Sequence, residues 1–464
     1  MRIFIGVLAC WVLLSNIAPA VDGPESELGS ALFEESRLGN TNRVANHPER
    51  GADANAAKGA GRTPLRRGNH AGHLKLIASH AATQDWTRFR GPNGTGESDA
   101  TLPATWTDAD YYWKVELPGV GHSSPVLWDK RIFLASAIDD GRSRVLLCLD
   151  AGDGRVLWNQ EFPGENHHIH KQNSFASSTP VVDADRVYAL VVTPQHYRVV
   201  AFTHDGKPAW EADLGPFTGQ HGFGTSPILH DGMLIANNDQ DADSFLFALD
   251  CRTGRELWRT PRRTAVVAYS TPCVRQPADG KPELIFNSEA HGIAGIDPRT
   301  GRTNWELAVF DKRSISSPIV VGGLVFGSCG SGGGGNYLTA VRPGKQPEIA
   351  FRFDKQAAYV PTSVARDNLL FVWGDSGIVS CLEVPSGSLL WQKRVGGNFS
   401  GSPVRAGDKV YCVSVEGDVV VLAAKAEYEL LGRMQLGEVC RSTPAIADGR
   451  IYFRTQSHLY SLGK

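Results

Sequence analysis

After residue 120 the chain alternates short apolar runs with polar, Gly- and Asp-rich breaks, and the alternation itself repeats. One phrase opens each repeat: a small hydroxyl residue, then Pro, then an apolar residue. It stands at Ser124-Pro125, Thr179-Pro180, Ser226-Pro227, Thr271-Pro272, Ser317-Pro318, Ser402-Pro403 and Thr443-Pro444, with a degenerate copy at Thr362-Ser363-Val364. Successive copies lie 55, 47, 45, 46, 45, 40 and 41 residues apart. A polar turn and an apolar run follow each copy, as in Pro180–Leu190 (PVVDADRVYAL). A second phrase comes later in each unit: apolar run, Asp, a Gly turn, then Trp. It reads LDAGDGRVLW to Trp158, LDCRTGRELW to Trp258, IDPRTGRTNW to Trp305 and LEVPSGSLLW to Trp391. Trp210 holds the same place after a shorter turn, and Phe351 and Leu431 fill it in the two weaker units.

The chemistry of these phrases is structural. Asp and Gly supply the side-chain cap and positive φ of a tight hairpin. Pro lacks a donor and is tolerated at the first residue of a strand. A Trp buries a large ring and locks one repeat onto the next. Each unit therefore reads as four short antiparallel strands, A to D, with the hydroxyl-Pro phrase opening A and the Trp in D. Repeats of this length with four strands are propeller blades. The predicted fold is all-β, an eight-bladed β-propeller. The last unit stops after its strand C (His458–Leu462), and Tyr111–Leu117 offers the missing strand D, with Trp113 as the eighth docking ring. Such a join of the N- and C-terminal strands leaves no exposed edge. The alternative is seven blades and a separate hairpin.

The ends and the composition add context. Arg2, the apolar run Ile3–Leu14 and Ala18-Pro19-Ala20 have the layout of a signal peptide over residues 1–20, implying an exported protein, periplasmic or extracellular. Val7-Leu8-Ala9-Cys10 resembles a lipoprotein box, but too little apolar chain precedes Cys10. Residues 21–84 lack any sustained period and read as a disordered linker, with a short helix near Leu74–His80 left open. The propeller is expected over 85–464. No later run reaches the length of a membrane helix. The net charge of −2 gives no field to attract nucleic acid. Beyond Cys10 seven cysteines remain, an odd number, mostly inside apolar runs, and they are expected to be buried free thiols.

The two phrases, recurring in phase over residues 85–464, resemble those of the pyrroloquinoline-quinone (PQQ)-like repeat family. That family includes quinoprotein dehydrogenases and the propeller lipoprotein of outer-membrane protein assembly. Asp85-Trp86-Thr87-Arg88-Phe89-Arg90-Gly91-Pro92-Asn93-Gly94 resembles the opening of a large bacterial group of such proteins. In members that bind PQQ, the resemblance implies two adjacent Cys, a Trp stacked on the quinone, and Glu, Asn and Asp on a calcium ion. No two Cys are adjacent here. PQQ is therefore not expected, and neither is any other cofactor, with calcium left open. The function implied is a non-catalytic binding or scaffolding propeller acting on a protein or glycan of the envelope. The alternative is an enzyme on the same fold, either a quinoprotein oxidoreductase or a His/Asp-dependent hydrolase or lyase.

Candidate site residues follow from propeller geometry, in which the D-to-A and B-to-C loops share one face around the channel. Residues just before each strand A converge there: His122, Ser177, Phe223, Tyr269, Ser314, Tyr359, Phe399 and Arg441. They either bind a ligand or plug the channel. The longest such loop carries His167, His168, His170 and Asn173, and the next one His221. Asn237–Ser244 holds the alternating carboxylates Asp239, Asp241 and Asp243, a candidate calcium loop that lacks the Gly and the twelfth-position Glu of an EF-hand. The ligand-binding set expected on this face is His122, His168, His170, Asn173, His221, Tyr269 and Arg441. The Gly-rich stretch 327–337 precedes no helical period and reads as a flexible loop rather than a phosphate cradle.

Overall fold

The computed structural model describes residues 86–463, apart from 265 and 279. The expected signal peptide and linker lie outside these residues.

Seven four-stranded sheets and one of five strands follow one another around a ring. Blade 1 is made of Val126–Trp128, Arg131–Ile138, Ser143–Asp150 and Val156–Pro163, paired antiparallel in that order. Blades 2 to 7 repeat the plan. Blade 8 takes Ala445–Ala447, Arg450–Arg454 and His458–Gly463 from the end of the chain and Tyr111–Glu116 from its beginning. The joining strand pairs Tyr111 with Leu462 and Glu116 with His458, so the ring closes as expected. Blade 7 carries an addition that the repeat did not announce. Glu97–Ser98 lies parallel to the inner strand Val404–Ala406.

Apolar side chains fill every interface between blades. Val181, Leu234 and Phe247 belong to the layer between blades 2 and 3, for example, and Ile132, Tyr411 and Ile451 to one that unites blades 7, 8 and 1. The Trp phrase is the device that aligns them. The Trp113 indole donates to the Ala151 carbonyl of blade 1, Trp158 to His204 of blade 2, Trp210 to Cys251 of blade 3 and Trp258 to Pro298 of blade 4. Each ring covers the Gly of the neighbour's turn. A Cβ on Gly254 would stand 2.5 Å from Trp210, and one on Gly301 2.5 Å from Trp258. That Gly thus answers two demands at once: positive φ for the turn, and no side chain beneath the ring. Blade 5 has Arg342–Pro347 in place of the Asp-Gly turn. Trp305 accordingly turns back and donates to Glu283 of its own blade. All seven cysteines among the described residues are free and buried.

Candidate functional site

In seven of the eight strand-A phrases the amide of the hydroxyl residue donates to the hydroxyl of the next blade's phrase. The Ser124 amide donates to Thr179 Oγ1 (3.0 Å), and the Thr179 amide to Ser226 Oγ (2.9 Å). Thr271 then donates to Ser317, Ser317 to Thr362, Thr362 to Ser402, Ser402 to Thr443, and Thr443 back to Ser124, all at 2.9–3.1 Å. Except at Thr362, which Ser363 follows, the next residue is a Pro that holds the hydroxyl residue extended and aims its N–H at the neighbour. Here the motif is a belt of interblade bonds around the channel.

The segment after Trp86 shuts the end of the channel away from the loops. Its backbone carbonyls accept from Leu127 of blade 1 and Val182 of blade 2. Arg88 donates to Pro272 of blade 4, and Arg90 to Ser363 of blade 6 and Pro403 of blade 7. Arg90 is wholly buried, yet burial lowers its pKa only to about 9 and that of Arg88 to about 10, so both stay cationic at neutral pH. This gives the Trp86–Gly94 phrase its role: it is a plug that staples distant blades.

Between plug and loops lies a cavity of about 470 Å³, lined by Phe89 of the plug and by Ser and Thr of the belt. His122, His170, Asn173, His221, Tyr269 and Arg441 line it, as do Arg313 and Tyr359, and it holds no carboxylate among the described residues. His168 is exposed and stands apart. Asn173 Nδ2 donates to the His221 and Phe223 carbonyls (2.7 and 3.2 Å), and the rings of His170 and His221 meet edge to face at 5.0 Å. Burial, then the Arg454 and Arg441 charges, lower the His122 pKa to about 3. Burial, then Arg313 and His170, lower that of His221. Burial raises the Tyr269 pKa, and its hydroxyl and Arg313 Nε are buried without a hydrogen-bond partner. A second cavity of about 550 Å³ shares Gln172, Ser331, Gly332, Tyr359, Val360, Ser400 and Arg441 with the first. It continues outward past Asp354, Gln356, Gly374, Asp375 and Asn398.

The acidic loop divides its carboxylates among different partners. Asp239 is buried against Arg262 (3.2 Å). Asp241 accepts the Gln220 and Val267 amides and so ties loops together, while Asp243 points to solvent. The three carboxylates serve different partners, and no group of three metal-ligating side chains forms among the described residues. The adjacent cysteine pair that the resemblance implies for PQQ binding does not occur among the seven buried thiols: five stand on separate strands, and Cys251 and Cys440 stand in separate connections.

Sequence reasoning missed Arg313, Gln172 and the plug. A stricter register finds the wall: the residue two before each hydroxyl, namely His122, Ser177, Gly224, Tyr269, Ile315, Val360, Ser400 and Arg441, lines the cavity in all eight blades. Chemically, the cavity offers fixed cations, hydroxyls and aromatic rings. The imidazole rings of its three histidines make no hydrogen bond to a hydroxyl, thiol or carboxylate side chain among the described residues.

Fold and site define an eight-bladed propeller of PQQ-like repeats with a plugged central channel. The family described as outer membrane protein assembly factor BamB matches residues 107–218, 189–350 and 352–462, and the chain belongs to that family. Tetrathionate hydrolase of Acidithiobacillus ferrooxidans is 24% identical over 232 residues, 47% of this chain and 44% of that protein. Quinohemoprotein alcohol dehydrogenase ADH-IIG of Pseudomonas putida is 23% identical over 205 residues, 43% of this chain and 26% of that protein. The chain thus matches less than half the length of either. Among solved structures, BamB from Moraxella catarrhalis superposes with a TM-score of 0.56 at 12% identity, covering 76% of this chain and 98% of that one. A europium-containing methanol dehydrogenase superposes with a TM-score of 0.64 at 9% identity, covering 84% and 100%. At these identities the superpositions show the fold alone. No helix among the described residues is long and apolar enough to cross a membrane.

Proposed function

We propose that the protein is an exported, non-catalytic binding propeller of the cell envelope that engages a protein partner through its loop face, with the central cavity as the anchoring pocket. One observation carries this reading: positions from all eight blades converge on a single dead-ended cavity, held by a belt of hydrogen bonds and closed from below by the plug. A rigid frame whose variable positions meet in one concavity presents a binding surface. The family description, an assembly factor, supports a protein partner. The names of the curated relatives support the alternative, an enzyme on this frame, but their similarity covers less than half of the chain. The test is photo-crosslinking in intact cells, with the reactive amino acid replacing Gln172 at the cavity mouth and, as control, Leu257 on the outer strand of blade 3. A discrete protein adduct from position 172 alone is expected. Adducts from neither position, or equally from both, overturn the reading.

A further inference from the structure

The cavity has a charge pattern of its own. Two guanidinium groups, Arg313 and Arg441, face it and, among the described residues, no carboxylate does, in a chain with 49 acidic and 47 basic residues. Arg88 and Arg90 lie below in the plug, and Arg454 sits behind His122, where it donates to the Ser123 and Ala135 carbonyls. Low-dielectric walls around charge of one sign focus the field into the space between them. The carboxylate that acts on Arg441 is Glu416, which already accepts from Asn398. Two polar atoms here have no partner: the Tyr269 hydroxyl, a donor, and Arg313 Nε, also a donor. Buried donors of this kind mark the place of an absent acceptor.

The adjoining cavity has the opposite character. Its carboxylates are Asp354 and Asp375, and its wall includes Gly332, Gly334, Gly335 and Gly374. A Cβ on Gly332 or Gly334 would meet nothing within 4 Å, so backbone there is open to an incoming chain. Asp375 accepts the Tyr359 and Val360 amides at 2.7 and 3.0 Å and thereby fixes the strip between the two cavities. A polyanion is disfavoured, because its second charge would meet Asp354 and Asp375. A ligand with one anionic end, followed by a chain rich in N–H donors, matches both compartments.

From this we infer that the central cavity binds the C-terminal carboxylate of an extended peptide, held between Arg313, Arg441 and Tyr269, with the preceding residues lying along the outer cavity over blades 5 to 7. The inference deepens the binding reading and names the end of the partner that enters. A carboxylate accepts two parallel N–H bonds from a guanidinium, which selects a planar anion over a neutral amide.

The test uses the whole purified protein and a fluorescein-labelled pool of random hexapeptides, prepared with a free C-terminal carboxylate and again as the C-terminal amide. Fluorescence anisotropy should show the acid pool binding about tenfold or more tighter than the amide pool, as expected for losing a charge-assisted pair. Arg441→Gln and Arg313→Met should each remove the difference, with melting temperature recorded to confirm folding. The acid–amide comparison itself is made on the unaltered protein and needs no variant. Equal binding of the two pools overturns the inference. So does binding of a heparin oligosaccharide in place of peptide, or thermal stabilisation by sulfate with no peptide binding. Crosslinking at position 172 is indifferent to the ligand's end group, so an adduct there combined with equal acid and amide binding retires this inference and leaves the binding reading standing.

Discussion

The docking of each Trp over a neighbour's Gly can be isolated within one blade. Gly254 and Gly232 both lie in turns of blade 3 with nearly the same φ, +73° and +74°. A Cβ on Gly232 would meet nothing within 4 Å, whereas one on Gly254 would stand 2.5, 2.8 and 3.1 Å from Trp210 ring carbons. Gly232→Ala therefore incurs only the left-handed backbone cost, about 1–2 kcal/mol. Gly254→Ala adds the displacement of the indole, which donates to Cys251 at 2.8 Å. The ceiling on that addition is the full contribution of a buried Trp, about 3–5 kcal/mol. Trp210 is half-buried, so the expected excess of Gly254→Ala over Gly232→Ala is about 2 kcal/mol. Urea unfolding of the two variants measures it. In a Trp210→Ala background the excess should vanish, because the obstacle is gone, and the double-mutant cycle then returns a coupling of about 2 kcal/mol between the two positions. Equal costs for the two glycine variants in the wild-type background would refute the argument and reduce the motif to turn chemistry.

Three further outcomes are expected. A chain beginning at residue 118 loses the strand that carries Trp113 and should melt well below one beginning at residue 86, with the buried ring alone contributing about 3–5 kcal/mol; coincident melting curves would contradict ring closure. Arg90→Lys leaves buried carbonyls of Gly94, Thr95, Ser363 and Pro403 short of a donor and should cost more than about 3 kcal/mol in urea unfolding, against no measurable loss if the plug is incidental. His122, with its folded pKa lowered to about 3, must stay neutral in the native state, so its contribution to stability is present at neutral pH and is lost as pH falls from about 6.5 towards 3. Between pH 7.5 and pH 5 that loss is about 2 kcal/mol, and a His122→Gln variant should show a correspondingly flatter acid limb.

Much of the frame was legible because its motifs repeat in phase. Gly254, Gly301 and the Trp residues recur at fixed offsets, and the missing outer strand pointed to Tyr111–Leu117 as its replacement, observed as Tyr111–Glu116. The belt was half-visible: the hydroxyl-Pro phrase placed strand A, but an interblade hydrogen bond has no local signature. The plug was invisible as a plug, since Arg88 and Arg90 meet their partners more than 180 residues away. At the site, Phe223, Ser314, Tyr359 and Phe399 were chosen one position off, and of these Tyr359 alone still lines the cavity. A one-residue slip in extended chain turns the side chain to the opposite face. The residues at the correct offset, Gly224, Ile315 and Ser400, line the cavity instead. Alternating carboxylates suggested a metal loop, yet Asp239, Asp241 and Asp243 are divided among an arginine, two amides and solvent. Spacing alone cannot report such a division.

The strand shared between the two ends of the fold has a consequence for how the molecule is made. Trp113 is synthesised long before its partner Ser461. Until then Tyr111–Glu116 is an orphan strand, and its outward-facing Lys114 and Glu116 are the kind of charge that discourages pairing with a stranger's edge. Closure waits on the most distant contact in the chain, the type that slows folding most. The strand His458–Gly463 therefore reports whether the ring has closed. A chain cut short before His458 leaves Leu459, Tyr460 and Leu462 missing from the layer that unites blades 7, 8 and 1, and the ring stays open on both sides of blade 8. Such a truncated chain displays its unfinished state as exposed apolar surface, where a protease can act before the protein is ever put to use.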